Sequence, residues 1–132
     1  VSESSVAGTI PTEYSDWPLQ IFDVDSNHLS GTLPDEFSRW TSLVRFNAAQ
    51  NGLISGTLPP GFAAMAGMGV FHVGGNQISG TLPSSFGEWT ALSAFGVGTN
   101  RFSGSLPAEY QSWEQLQLFA ASVNQLSGTL PP

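Results

Sequence analysis

The chain has 132 residues and no cysteine, so neither a disulfide framework nor a thiolate metal site is available to it. Ten acidic residues against three arginines, with no lysine, give a net charge of −7. That balance argues against nucleic acid and anionic lipid as partners, because both require basic patches. Only 10% of the residues are charged while Gly, Ser and Thr are plentiful, a composition shared by many secreted and surface-exposed proteins. No apolar run reaches membrane-spanning length, so no membrane insertion is expected within this chain.

In chain order, the phrase GTIP (8–11) opens a series that continues with SGTLP (30–34), SGTLP (55–59), SGTLP (79–83), SGSLP (103–107) and SGTLP (127–131). Successive prolines, from Pro11 through Pro34, Pro59, Pro83 and Pro107 to Pro131, are 23, 25, 24, 24 and 24 residues apart. A fixed period in the twenties marks a supersecondary unit that cannot bury its apolar side alone and must stack on its neighbours. The chain therefore reads as a single solenoid domain of about five and a half units, roughly 1–10, 11–33, 34–58, 59–82, 83–106 and 107–132.

Within each unit the elements follow in a set order. Three residues after the proline stands an aromatic (Tyr14, Phe37, Phe62, Phe86, Tyr110), and six after it Trp17, Trp40, Met65, Trp89 or Trp113. These bulky residues are expected to fill the back of the coil, and the few residues between them suit a short 3₁₀ or helical turn. Next comes Leu19, Leu43, Met68, Leu92 or Leu116, then a phenylalanine in every full unit: Phe22, Phe46, Phe71, Phe95 and Phe119. A small apolar residue two further on (Val24, Ala48, Val73, Val97, Ala121) shares its side of an extended segment, which predicts a short strand with an inward apolar face. Stacked strands of this kind form a parallel sheet.

An asparagine closes each strand: Asn27, Asn51, Asn76, Asn100 and Asn124. A buried carboxamide carries two donors and an acceptor, enough to satisfy the backbone inside a sharp turn by bonding across successive units. These five residues are expected to form a structural ladder. Asn51 fits with one inserted residue, in NGLISG. Gly and Pro then set the turn and an extended return segment expected to have no ladder of its own.

The pattern L-x-x-F-x-V-x-x-N-x-L-S-G-x-L-P resembles the leucine-rich repeat, in particular the plant-type class of 24 residues with its N-x-L-S-G-x-[IL]-P phrase. TLPDEFSRW and SLPAEYQSW are also similar to repeats of trypanosomatid surface antigens. The resemblance runs from about Val6 to Pro132. It implies an α/β solenoid, a right-handed coil with a parallel concave β-sheet and short 3₁₀ or helical turns on the convex side. Departures are Phe where leucine is usual, Trp at the back, and no cysteine-bearing end caps. Val1–Ala7 aligns with Ala121–Ser127, so the chain starts and stops partway through a unit without capping domains. An excerpt from a longer array and a unit stacking end to end on its own copies both fit that reading.

With the interior assigned, the residues between the apolar strand positions face outward on the concave sheet. They run from polar in the early units to small and apolar in the later ones, where Gly74, Gly75, Gly96 and Gly98 are expected to leave a nearly bare backbone. The cluster Asp23, Asp25, Arg45, Asn47 and His72 is the candidate ligand-binding site. Its two carboxylates suit calcium or a hydroxyl-rich ligand; the plainer alternative is a solvated Asp23–Arg45 pair across adjacent strands. The file Thr9, Thr32, Thr57, Thr81, Ser105 and Thr129 should face outward in a row, open to ice binding or O-glycosylation, or simply suited to an extended turn exit. No asparagine begins an N-x-[ST] sequon.

No Gly-rich phosphate loop, metal-spaced histidine set or nucleophile–base arrangement is present, so neither an enzyme nor a cofactor or metal site is expected. The leading expectation is an extracellular or cell-surface interaction module that binds a protein or glycan ligand through the concave sheet. Homotypic end-to-end stacking into filaments or a coat is the alternative, with ice binding behind it.

Overall fold

The computed structural model of the protein describes residues 6–128. Val1, Thr129 and Pro131 of the sequence pattern lie outside the described residues. In chain order the elements are β1 (Ala7–Thr9), η1 (Thr12–Asp16), β2 (Ile21–Asp23), β3 (His28–Thr32), η2 (Asp35–Arg39), β4 (Arg45–Asn47), β5 (Leu53–Ser55), η3 (Pro60–Ala64), β6 (Val70–His72), β7 (Ser79–Thr81), η4 (Ser84–Glu88), β8 (Ala94–Gly96), β9 (Arg101–Ser105), η5 (Ala108–Ser112), β10 (Leu118–Ala120) and β11 (Gln125–Ser127).

Strands β2, β4, β6, β8 and β10 lie side by side in one parallel sheet. Its register is set by the phenylalanines: Phe22 pairs with Phe46, Phe46 with Phe71, Phe71 with Phe95 and Phe95 with Phe119. Their rings form an inward column with centroids 5.2, 5.3, 5.8 and 5.8 Å apart. Each such pair is worth about 0.5–1.5 kcal/mol beyond the area it buries. A one-residue slip would turn the whole column to solvent, which is why the register is firm.

The convex side consists of the five 3₁₀ turns. In each, the SGxLP-type proline holds φ between −62° and −67° and leads into the turn, and the aromatic three residues later bonds back to its carbonyl, as Phe37 N does to Pro34 O at 3.2 Å. That aromatic stacks on the tryptophan that ends the turn: Phe37 on Trp40 at 3.9 Å, Phe86 on Trp89 at 4.0 Å and Tyr110 on Trp113 at 3.8 Å. Both rings are buried against the phenylalanine column. Trp17 departs from the expected core position and is 54% exposed. Its stacking partner Tyr14 is present, but no other described turn covers its outer side.

The asparagines knit the coils together. Asn76 Nδ2 donates to Ala48 O in the preceding coil (3.0 Å) and to Val73 O in its own (3.0 Å), while its Oδ1 accepts from Ile54 N (3.4 Å). Asn51, Asn100 and Asn124 repeat this bridge, and Asn27 accepts from Val6 N at 3.2 Å.

The return segment differs from expectation: it does have a ladder. β1, β3 and β5 form one parallel sheet, β7, β9 and β11 another, and the single bridge Thr57–Ser79 joins them. Coil stacking in register brings the SGT segments together even though each contains a glycine. The ladder divides at the inserted residue. There Gly52 adopts φ +84°, Leu53 is pushed out to 53% exposure, and Ile54 takes the buried place that Leu29 and Ile78 hold elsewhere. The extra residue is a bulge, closed by Gln77 Nε2 donating to Gly52 O at 2.9 Å.

Candidate functional site: the concave sheet

The strand register sets the outward side chains in rows across the sheet. One row is Ile21, Arg45, Val70, Ala94, Leu118, and the next is Asp23, Asn47, His72, Gly96, Ala120. Four of the five candidate residues, Asp23, Arg45, Asn47 and His72, therefore occupy adjacent positions on β2, β4 and β6, with Asp25 just beyond β2.

Arg45 Nη2 reaches across the strands to Asp23 Oδ2 at 3.4 Å, a part-exposed pair worth less than about 1 kcal/mol. Asp23 Oδ1 also accepts from Asp25 N at 3.4 Å, and Ser26 Oγ donates to Asp25 Oδ2 at 3.1 Å. Burial alone would raise the Asp23 carboxyl; hydrogen bonds with Asp25 and the Arg45 guanidinium outweigh it and hold the group below its ordinary value. Asp23 thus remains an anion with its charge directed along the sheet.

Asn47 is not the open contact residue the sequence suggested. It is 8% exposed, and its Oδ1 accepts from Ala49 N at 3.2 Å. This is the same turn-closing bond that Asp23 makes one coil earlier, so the position serves the strand exit first.

His72 is half-buried. Burial, followed by the positive charge of Arg45, lowers its pKa, so the imidazole is neutral at pH 7. Its ring lies across Gly96 on β8: a Cβ added there would fall 2.9 Å from Cε1 and closer still to Nδ1. Gln50 does the same to Gly75, whose added Cβ would come within 2.7 Å of the carboxamide. Gly96 is therefore buried and Gly75 partly covered, because the missing side chains leave room for polar groups of the preceding coil. Gly74 and Gly98 remain part-exposed, the former 3.1 Å from Gly98 O at its absent Cβ. Gln50 was not singled out from the sequence, although a glycine at position 75, where other coils carry a side chain, marks the space it fills.

Chemically the face offers one fixed ion pair, a neutral imidazole, a carboxamide and an apolar row in which Ile21 and Leu118 are exposed. Among the described residues, no group of three or more His, Asp or Glu side chains could hold a metal ion, and no helix is long and apolar enough to cross a membrane.

Comparison with known proteins places this geometry. The leucine rich repeat family model matches residues 18–40. No curated protein sequence matches the chain. The Arabidopsis receptor kinase HAESA, solved with the peptide hormone IDA and the co-receptor SERK1, is similar at 26% identity and TM-score 0.94, over 99% of this chain and 22% of that one. The plant peptide hormone receptor RGFR1, solved with RGF2, is similar at 30% identity and TM-score 0.94, over 98% and 21%. The ectodomain of the receptor kinase SOBIR1 from Arabidopsis thaliana is similar at 25% identity and TM-score 0.91, over 98% and 71%. This chain thus spans about a fifth of the length of the two peptide-bound receptors. These matches carry the plant-type resemblance; the likeness to trypanosomatid antigens rests on the sequence phrases alone.

Proposed function

The chain is a leucine-rich repeat solenoid of the plant type, and from that premise we propose that it is a non-catalytic, extracellular or cell-surface binding module that takes a peptide or protein ligand on its concave sheet. The observation that carries this reading is the set of polar groups fixed on β2, β4 and β6, the Asp23–Arg45 pair and His72, bordered by the part-exposed glycines Gly74 and Gly98. A ligand crossing the strands meets charge and hydrogen-bonding groups first and a close backbone approach after them. Peptide hormones bound to the similar receptors HAESA and RGFR1 support the ligand class. A protein or peptide is favoured over a glycan because the phenylalanines of the concave strands all point inward, leaving no aromatic platform among the described concave residues.

The test is a titration. Peptides selected from a displayed random library against the purified chain are titrated against the Asp23→Ala/Arg45→Ala variant, with about a tenfold or greater loss of affinity expected. Unchanged affinity would remove this site from the account.

A further inference from the structure

Five asparagines hold the ladder, and a single one of them is followed by glycine. His28, Gln77, Arg101 and Gln125 succeed Asn27, Asn76, Asn100 and Asn124, whereas Gly52 succeeds Asn51. Two structural demands meet there. The ladder requires a carboxamide at 51, and the bulge requires a residue at 52 with φ +84°, a conformation that favours glycine. A Cβ at 52 would meet nothing within 4 Å, so the backbone angle rather than crowding selects the residue.

The resulting pair has a chemistry of its own. With no side chain on Gly52 to shield it, the amide nitrogen can attack the carboxamide beside it. Deprotonated Gly52 N bonds to Asn51 Cγ, the Cγ–Nδ2 bond breaks, and that nitrogen takes up a proton and leaves as ammonia. The product is a cyclic succinimide. Water then adds to one of its carbonyls and opens the ring to an aspartyl or an isoaspartyl link. One water enters, one ammonia departs, and nothing is oxidised or reduced.

In the folded chain the reacting groups are drawn to opposite neighbours. Asn51 is 5% exposed; its Oδ1 accepts from Leu29 N at 3.0 Å and its Nδ2 donates to Val24 O at 3.2 Å, both in the preceding coil, and to Ala48 O at 3.0 Å in its own. Gly52 N points the other way along the stack and donates to Gly75 O of the following coil at 3.0 Å. Ring closure requires the carboxamide to leave its buried seat and the Gly52 amide to leave its acceptor, so both adjoining coils must first release this one.

We propose that Asn51 and Gly52 form a self-modification site gated by opening of their coil, where an opened chain converts to the aspartyl or isoaspartyl form and cannot rebuild the ladder. A carboxylate oxygen then stands where Nδ2 stood, facing Val24 O and Ala48 O with no proton to share. The isoaspartyl form also lengthens the backbone at the bulge. Opening of this coil thereby becomes irreversible by covalent change. The site uses neither the concave row nor a ligand, so it is independent of the binding reading.

Peptide mapping by mass spectrometry follows conversion at 51 in mildly alkaline buffer, for the folded chain, the chain in urea and a synthetic peptide of residues 48–54. Conversion in urea should match the peptide's rate and reach Asn51 well before Asn27, Asn76, Asn100 and Asn124. In the folded chain it should be slower by about a hundredfold or more, because the rate follows the population of the open form. Urea below the unfolding transition should speed it in step with opening. Converted chain, separated on anion exchange by its added negative charge, should unfold at lower urea than the parent or fail to refold. Folded-chain conversion at the peptide's rate would overturn the proposal, and so would a slow rate indifferent to urea, which would put the attack in the closed coil. Asn51 converting no faster than Asn100 in urea would remove the site. A converted chain with the parent's urea midpoint would show that the ladder accepts the carboxylate, and would equally overturn the account.

Discussion

The methyl group of Thr32 rests on the α-carbon of Gly56 in the next coil. A Cβ on Gly56 would lie 2.7 Å from Thr32 Cγ2, and Thr9 bears on Gly31 and Thr57 on Gly80 in the same way, each at 2.9 Å. The threonine file does face outward at Thr9, Thr32, Thr57 and Thr81, but the γ-methyl of each lies against the glycine of the next coil. Gly56 also stands at φ +82°, a conformation that favours glycine. Gly56→Ala is expected to cost about 2–3 kcal/mol, combining backbone strain with collision. Adding Thr32→Ser should return the steric part and leave the strain, as urea unfolding of the single and double variants would show.

The two kinds of asparagine should separate cleanly. Asn76→Ala takes the acceptor from Ile54 N and one of two asparagine donors from each of Ala48 O and Val73 O, and is expected to cost about 2–3 kcal/mol. Asn47→Ala removes one local bond to Ala49 N and should cost about 1 kcal/mol. Equal losses in chemical denaturation would contradict the ladder.

The residue before each ladder asparagine is left-handed: Ser26, Gln50, Gly75, Thr99 and Val123, with φ between 55° and 72°. Thr99 is β-branched and pays for this conformation without a compensating contact of its side chain among those described here. Thr99→Gly is therefore expected to stabilise the protein by up to about 1 kcal/mol, read as a rise in Tm.

Much of this was legible in the sequence because the signal is periodic. Phe46, Phe71 and Phe95 recur at one phase of a 24–25-residue spacing, and nothing but inward stacking satisfies all of them. What escaped depends on neighbours rather than on a residue's own pattern. Trp17 stacks on the aromatic of its own turn as Trp40 does, but Pro18 follows it and no other described turn lies over it. The second ladder arises from coil stacking that no glycine-containing SGT segment announces by propensity. Gly96 reads as bare until His72 is seen lying on it. Asn47 alternates correctly for an outward residue, and only its bond to Ala49 shows why it is buried.

The concave face also gives stability a pH dependence with a definite sign. His72 has a folded pKa below its free value of 6.5, so its contribution is complete above pH 6.5 and is lost as pH falls through the lowered value. Asp23, lowered from 3.8, behaves likewise in a separate, more acidic window. Thermal unfolding across pH 4 to 8 should show a decline on the acid side of about pH 6.5 that His72→Gln flattens. A profile identical in the variant would remove His72 as its origin.

The most direct measurement of the central claim is hydrogen exchange on the chain with and without a selected peptide ligand. The account predicts added protection confined to the concave strands and their exits, around 21–25, 45–50 and 70–75, with the convex turns unchanged. Protection centred instead on the SGT ladders or on the 3₁₀ turns would place the ligand elsewhere and contradict it.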